Sequence, residues 1–184
     1  KEYFGNRTIF GMLRDPFERL VSIFRSNPGN TFDQWHGDSC DVSGAIRSVM
    51  KAYKKGDRYS HDCRFLPQAE FFDMPYGITE PIDARLFPLS INDFLEGHGF
   101  SKSHIFAADV INVSRGCDDK WSGDLDLGAK MLIKDVYAKD FDLLCRHFEY
   151  CYDENVCLKH IPGMCPSKLF SWDAAISEFK PKSD

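Results

Sequence analysis

The sequence predicts an α/β fold, a parallel sheet flanked by helices, and three observations carry that expectation. A compact apolar run, Ile9-Phe10 and Met12-Leu13, has the length of a strand covered on both faces. It leads directly into a segment where Phe17, Leu20, Val21 and Phe24 recur at i, i+3, i+4 and i+7, one apolar stripe on a helix. A second strand pattern, residues 82–87, follows after further segments of helical period.

The elements follow in chain order. Asp15 is a good N-cap, and Pro16 stands where the first helical residue belongs. Ser22 falls off the apolar stripe, flanked by Arg19 and Arg25. Ser26-Asn27-Pro28-Gly29-Asn30 ends the helix, and the polar residues 31–43 predict a surface loop. Residues 44–59 predict a helix with Ile46, Val49, Met50 and Tyr53 on one face. Arg47, Lys51, Lys54, Lys55 and Arg58 gather on another face, either solvated or facing an anionic acceptor. Residues 90–96 predict a short helix stopped by Gly97 and Gly99, and 105–111 a further strand. Residues 115–128 predict a polar loop. One long helix is expected from Ala129 to about Tyr150, since Ile133, Tyr137, Phe141, Leu144 and Phe148 keep a helical step. Beyond it Trp172 is expected to pack the tail and residues 180–184 to fray.

Composition narrows the class. A chain of 184 residues with 43% hydrophobic and 14% aromatic content builds one globular domain, 1–184, rather than a disordered segment. The formal charge of −5 argues against a general nucleic-acid binder. No apolar run reaches the length of a membrane span, and no signal peptide is visible. The first residues, Lys-Glu-Tyr, lack a Met, so the chain is expected to be an excerpt of a longer parent. Seven cysteines occur, four of them (Cys145, Cys151, Cys157 and Cys165) within the last forty residues. No Cys-x-x-Cys pair supports a zinc site. Disulfides in an oxidising lumen fit better, with one thiol left over or paired upstream. The sequons at Asn6 and Asn112 are compatible with a lumen, although Asn6 abuts the first strand.

The chemistry lies where the first strand meets the first helix. A helix N-terminus offers unpaired N–H groups and partial positive charge, so it favours anions. Arg14 stands at the C-terminal end of the strand, where open α/β sheets place their ligands. Its planar fork suits a phosphate, and Ser22 adds a hydroxyl donor. Taken alone, these residues also fit a buried strand, an ordinary amphipathic helix and surface arginines.

The run Arg14-Asp15-Pro16-Phe17-Glu18-Arg19-Leu20-Val21-Ser22 resembles the 3′-phosphate-binding motif of sulfotransferases that use 3′-phosphoadenosine 5′-phosphosulfate (PAPS), in particular the Golgi carbohydrate sulfotransferases. The resemblance implies that Arg14 and Ser22, eight residues apart, hold the 3′-phosphate, with Arg19 as a further candidate. His61, Arg64, Pro67-Gln68 and the pair Phe71-Phe72 resemble a second family element, which implies that His61, Arg64 and Gln68 line the acceptor cleft. Asn112-Val113-Ser114 resembles a short segment near the nucleotide, and Tyr137-x-x-Asp140 with Phe148-Glu149-Tyr150 resembles the closing helix. Phe87-Pro88-Leu89 stands where the family has an acidic residue, so no role transfers there.

The resemblance further implies a sheet like that of the P-loop NTPases, here without its N-terminal strand and Gly-rich phosphate loop. The donor is then PAPS without a metal, and the acceptor a glycan hydroxyl. The catalytic base is expected upstream of Lys1. The parent is expected to be a membrane-anchored protein of the Golgi lumen, and this portion alone to be inactive or nearly so. Two other classes remain open. One is a P-loop kinase, which would require an upstream Walker-type loop and Mg²⁺. The other is a non-catalytic, disulfide-held luminal module that binds a glycan.

Overall fold

The computed structural model describes residues 7–26, 40–59, 61–75, 77–109, 117–152, 154–158 and 165. Within them the fold is mixed α/β, with two strands and six α-helices: β1 (Phe10–Leu13), α1 (Pro16–Ser26), α2 (Val42–Lys54), α3 (Ala69–Phe72), β2 (Glu80–Asp83), α4 (Leu89–Gly97), α5 (Leu127–Val136) and α6 (Ala138–Phe148). The expected loop over 31–39, the sequon residues Asn6 and Asn112, the 112–114 segment, Trp172 and the tail lie outside the described residues.

β1 and β2 pair in parallel, Phe10 opposite Glu80 and Leu13 opposite Asp83. A parallel pair needs a long crossover, and α1, α2 and α3 supply it. The turn into β2 brings backbones close together. A Cβ on Gly77 would lie 2.5 Å from the Phe72 carbonyl oxygen, so only glycine fits there. The expected cover on both faces of β1 is half met among the described residues. Leu13 is fully buried, while Phe10 and Met12 are exposed, with the Phe10 ring 4.6 Å from Phe94 of α4.

The main core forms where α1, α2 and α5 meet. Phe17, Leu20 and Val21 pack there with Ile46, Met50 and Ile133. Asp41 caps α2 by accepting from the Gly44 amide at 2.8 Å, and Asp126 caps α5 by accepting from Ala129 at 2.8 Å. Each such cap contributes about 1 kcal/mol. A smaller cluster of Leu13, Ala69, Leu143 and Leu144 joins the strand end to α6.

Several boundaries differ from the sequence reading. α2 stops at Lys54 instead of 59, because Gly56 adopts φ +109° and its amide turns back to the Tyr53 carbonyl. β2 runs from Glu80 to Asp83 because the Asp83 carboxylate accepts from the Arg85 amide at 2.8 Å and starts a 3₁₀ turn, Ala84–Leu86. Residues 105–109 form no strand and contain a 3₁₀ turn, Ala107–Asp109. There Asn92 bonds both the amide and the carbonyl of Ile105 at 2.9 Å, so side-chain groups replace a strand partner. The expected long C-terminal helix is two helices, broken at Tyr137.

Among the described residues three disulfides close: Cys40–Cys117, Cys145–Cys151 and Cys157–Cys165. Cys63 is a free, exposed thiol. This bonding fits an extracellular or luminal compartment. No described helix is long and apolar enough to cross a membrane.

Candidate functional site at the strand ends

The C-terminal ends of β1 and β2 lie side by side, and each is followed by an arginine set among carboxylates. After β1, the Arg14 guanidinium engages both oxygens of Glu18 through Nε and Nη2, one helical turn along α1. Glu18 is buried, whereas the Arg14 side chain keeps 24% of its surface exposed. A guanidinium has two edges able to bind an oxyanion bidentately. Glu18 takes the Nε–Nη2 edge, so the Nη1–Nη2 edge is the one available to an external anion.

The Arg14 backbone is fixed as well. Its amide donates to Gln68 Oε1 at 3.0 Å, and its carbonyl accepts from Gln68 Nε2 at 2.7 Å. This side-chain bridge begins where the β1–β2 ladder stops at Leu13. Gln68 is anchored in turn by Asp140 of α6. One Asp140 oxygen accepts from the Gln68 amide at 2.9 Å and from Nε2 at 3.2 Å, and the other from the Ala69 amide at 2.8 Å. Asp140 is fully buried, and burial pushes its carboxyl above the usual range despite these three donors.

After β2, the Arg85 guanidinium carbon sits 3.7 Å from the centre of the Tyr150 ring. Its Nη1 donates to Glu154 at 3.0 Å, and Nη2 lies 3.7 Å from Asp15. The Tyr150 hydroxyl donates to Asp83 at 2.6 Å, and burial together with that acceptor pushes its pKa up to about 12. Asp15 caps α1 by accepting from the Glu18 amide at 3.0 Å. The chain's own carboxylate thus takes the helix N-terminus expected to attract an anion. Burial pushes the Asp15 carboxyl up to about 6, and the nearby Glu18 charge adds to the rise; the Glu18 amide and Arg85 oppose it.

The remaining predicted residues divide by position. Ser22 is half-buried on α1, one turn beyond Glu18. It borders a cavity of about 10 Å³ with Glu18, Arg25 and Trp121, room for about one water. That cavity is too small to hold a phosphate. Arg19 donates to the Leu66 and Arg64 carbonyls at 2.9 Å each and lies over the Tyr137 ring, so its fork is spent on the 64–66 segment. His61, with Asp62 and Cys63, occupies a left-handed turn at φ 56°, 57° and 61°. Its ring packs edge-on against Phe65, and the exposed Arg64 lies 3.6 Å from Asp62. Of the three predicted acceptor residues, Gln68 is the one bonded to Arg14 among the described contacts.

The predicted basic face of α2 is largely neutralised. Arg47 pairs with Asp126, Lys54 with Asp135 and Arg58 with Glu70. Beside it an open groove of about 930 Å³ runs between Tyr53, Leu66, Phe71, Met74 and Val136. Among the described residues no group of three His, Cys, Asp or Glu side chains could hold a metal ion.

Sequence reasoning gave Glu18, Asp140 and Arg85 no role at this site, and placed Asp140 only in a closing helix. The i,i+4 spacing from Arg14 to Glu18 was a usable signal. For Asp140 and Arg85 the contacts are long-range, and local sequence does not show which residues they meet. Chemically, the Arg14 fork keeps one edge not taken by Glu18, on a backbone fixed at both peptide groups. No family model, curated protein or solved structure matches the chain.

Proposed function

We propose that this chain carries the 3′-phosphate-binding part of a PAPS-dependent sulfotransferase acting on a hydroxyl, in the first instance of a glycan, in the Golgi lumen. The observation that supports it most is Arg14. It stands at the end of a parallel strand, keeps one guanidinium edge for an anion, and belongs to the Arg-Asp-Pro-Phe-Glu-Arg-Leu-Val-Ser run. In this reading Glu18 orients the fork, Arg14 binds the 3′-phosphate, and Ser22 donates to it. Arg19 holds the 64–66 segment in place. PAPS, when bound, supplies the sulfuryl group that a hydroxyl attacks in line. The reading assigns this chain the anchoring of the nucleotide and gives it no base.

The groove beside α2 favours a second reading, a luminal module that binds a glycan. Exposed Phe71 and half-buried Tyr53 offer ring faces, and ion pairs surround an apolar floor. Calorimetric titration separates the two. The nucleotide reading predicts that 3′-phosphoadenosine 5′-phosphate (PAP) binds at least about tenfold more tightly than 5′-AMP, as expected from one charge-assisted phosphate contact. Equal affinities, or binding to neither by the folded chain, would reject it and leave the glycan module.

A further inference from the structure

Arg14 is held from a distance. Its two peptide groups bond one amide side chain, Gln68, and that amide is oriented by one fully buried carboxylate, Asp140. The chain of contacts runs from α6, across the start of α3, to the end of β1.

We infer that Gln68 and Asp140 are positioning residues for the anion site: Asp140 fixes the Gln68 amide, and the amide fixes Arg14. This rests on the nucleotide reading of Arg14. The orientation of the amide follows from its partners. Asp140, as a carboxylate, only accepts, so the nitrogen of Gln68 must face it and the oxygen must face the Arg14 amide. The same nitrogen then reaches the Arg14 carbonyl at 2.7 Å. Reversing the amide would set its nitrogen against the Arg14 N–H and its oxygen against two acceptors, the Arg14 carbonyl and Asp140. A strand end normally gains freedom where its ladder stops. Here the side-chain bridge extends the constraint by one residue, to the residue whose side chain meets the ligand. Glu18 constrains that side chain at its other end. A phosphate then meets a fork whose backbone and guanidinium are both already placed, so little ordering opposes binding.

Asp140 also caps α3, and its removal could lower stability by that route alone. The test therefore centres on Gln68→Met, which keeps the side-chain length and the Asp140–Ala69 contact but loses the bridge. PAP and 5′-AMP are titrated into wild type, Gln68→Met and Asp140→Asn, with the folded fraction of each checked by circular dichroism. Positioning predicts that PAP affinity falls about tenfold in Gln68→Met while 5′-AMP affinity stays within twofold. It also predicts that the Arg14 amide exchanges its hydrogen faster in that variant. A purely structural role lowers both affinities together or neither. An unchanged PAP to 5′-AMP ratio in folded Gln68→Met overturns the inference. If wild type already lacks a preference for PAP, the underlying nucleotide reading fails instead.

Discussion

Tyr137→Ala is expected to lower the unfolding free energy by about 4 kcal/mol, the cost of emptying a fully buried aromatic site. Tyr137→Phe is expected to cost about 1 kcal/mol, because it removes only the hydroxyl that donates to the Phe65 carbonyl at 2.7 Å. The two values separate what this residue does. Its ring belongs to the core between α1, α2 and α5. Its hydroxyl ties the α5–α6 break to the segment that carries Gln68. Burial also holds that phenol well above its ordinary pKa, so it stays a donor across the accessible pH range. Urea unfolding of both variants under oxidising conditions, which keep the disulfides closed, measures the pair. Equal losses would show that the hydroxyl contact, not the ring, holds the break in place.

The second large effect is a pH dependence. In the folded chain the Asp15 carboxyl is pushed up to about 6 from an ordinary 3.8, mainly by burial. The native state therefore binds this proton more tightly than the unfolded chain does. The stabilisation that follows is fully present below about pH 3.8 and is lost as pH rises through about 6. The span corresponds to about 3 kcal/mol. Asp15→Asn keeps a good N-cap and cannot ionise. The stability of wild type relative to Asp15→Asn is thus expected to fall by about 2 kcal/mol of that span between pH 4 and pH 7. Urea unfolding at both values measures it, and a constant difference would mean that Asp15 is well solvated or paired.

The β1–α1 unit was legible because its signals are local. Asp15-Pro16 marks the start, and the apolar stripe from Phe17 to Phe24 marks the buried face. The apolar stripes of α2 and α5 were legible for the same reason, whereas their caps, Asp41 and Asp126, fell in stretches read as loop. The break at Tyr137 was not. No Gly or Pro marks it, and the apolar step continues across it. It serves contacts made far away, from Tyr137 to Phe65 and from Asp140 to Gln68 and Ala69. Of the strand expected over 105–111, the described residues 105–109 form none, since Asn92 supplies the partners that a neighbouring strand would have supplied. At the site, Arg14 and Ser22 were read from a motif and Glu18 was within reach of helical spacing. The bridge from Gln68 could not be read, because it joins residues 54 positions apart through side-chain atoms.

The central claim is that the Arg14 fork holds a 3′-phosphate, and Arg14→Lys tests it most directly. Lysine keeps a positive charge beside the buried Glu18, so the carboxylate is not left unpaired. It loses the planar, bidentate edge. Titration of PAP and 5′-AMP into this variant is predicted to show PAP binding weakened at least about tenfold and 5′-AMP binding unchanged. PAP affinity equal to that of wild type would contradict the assignment and move the phosphate, if one binds, away from Arg14.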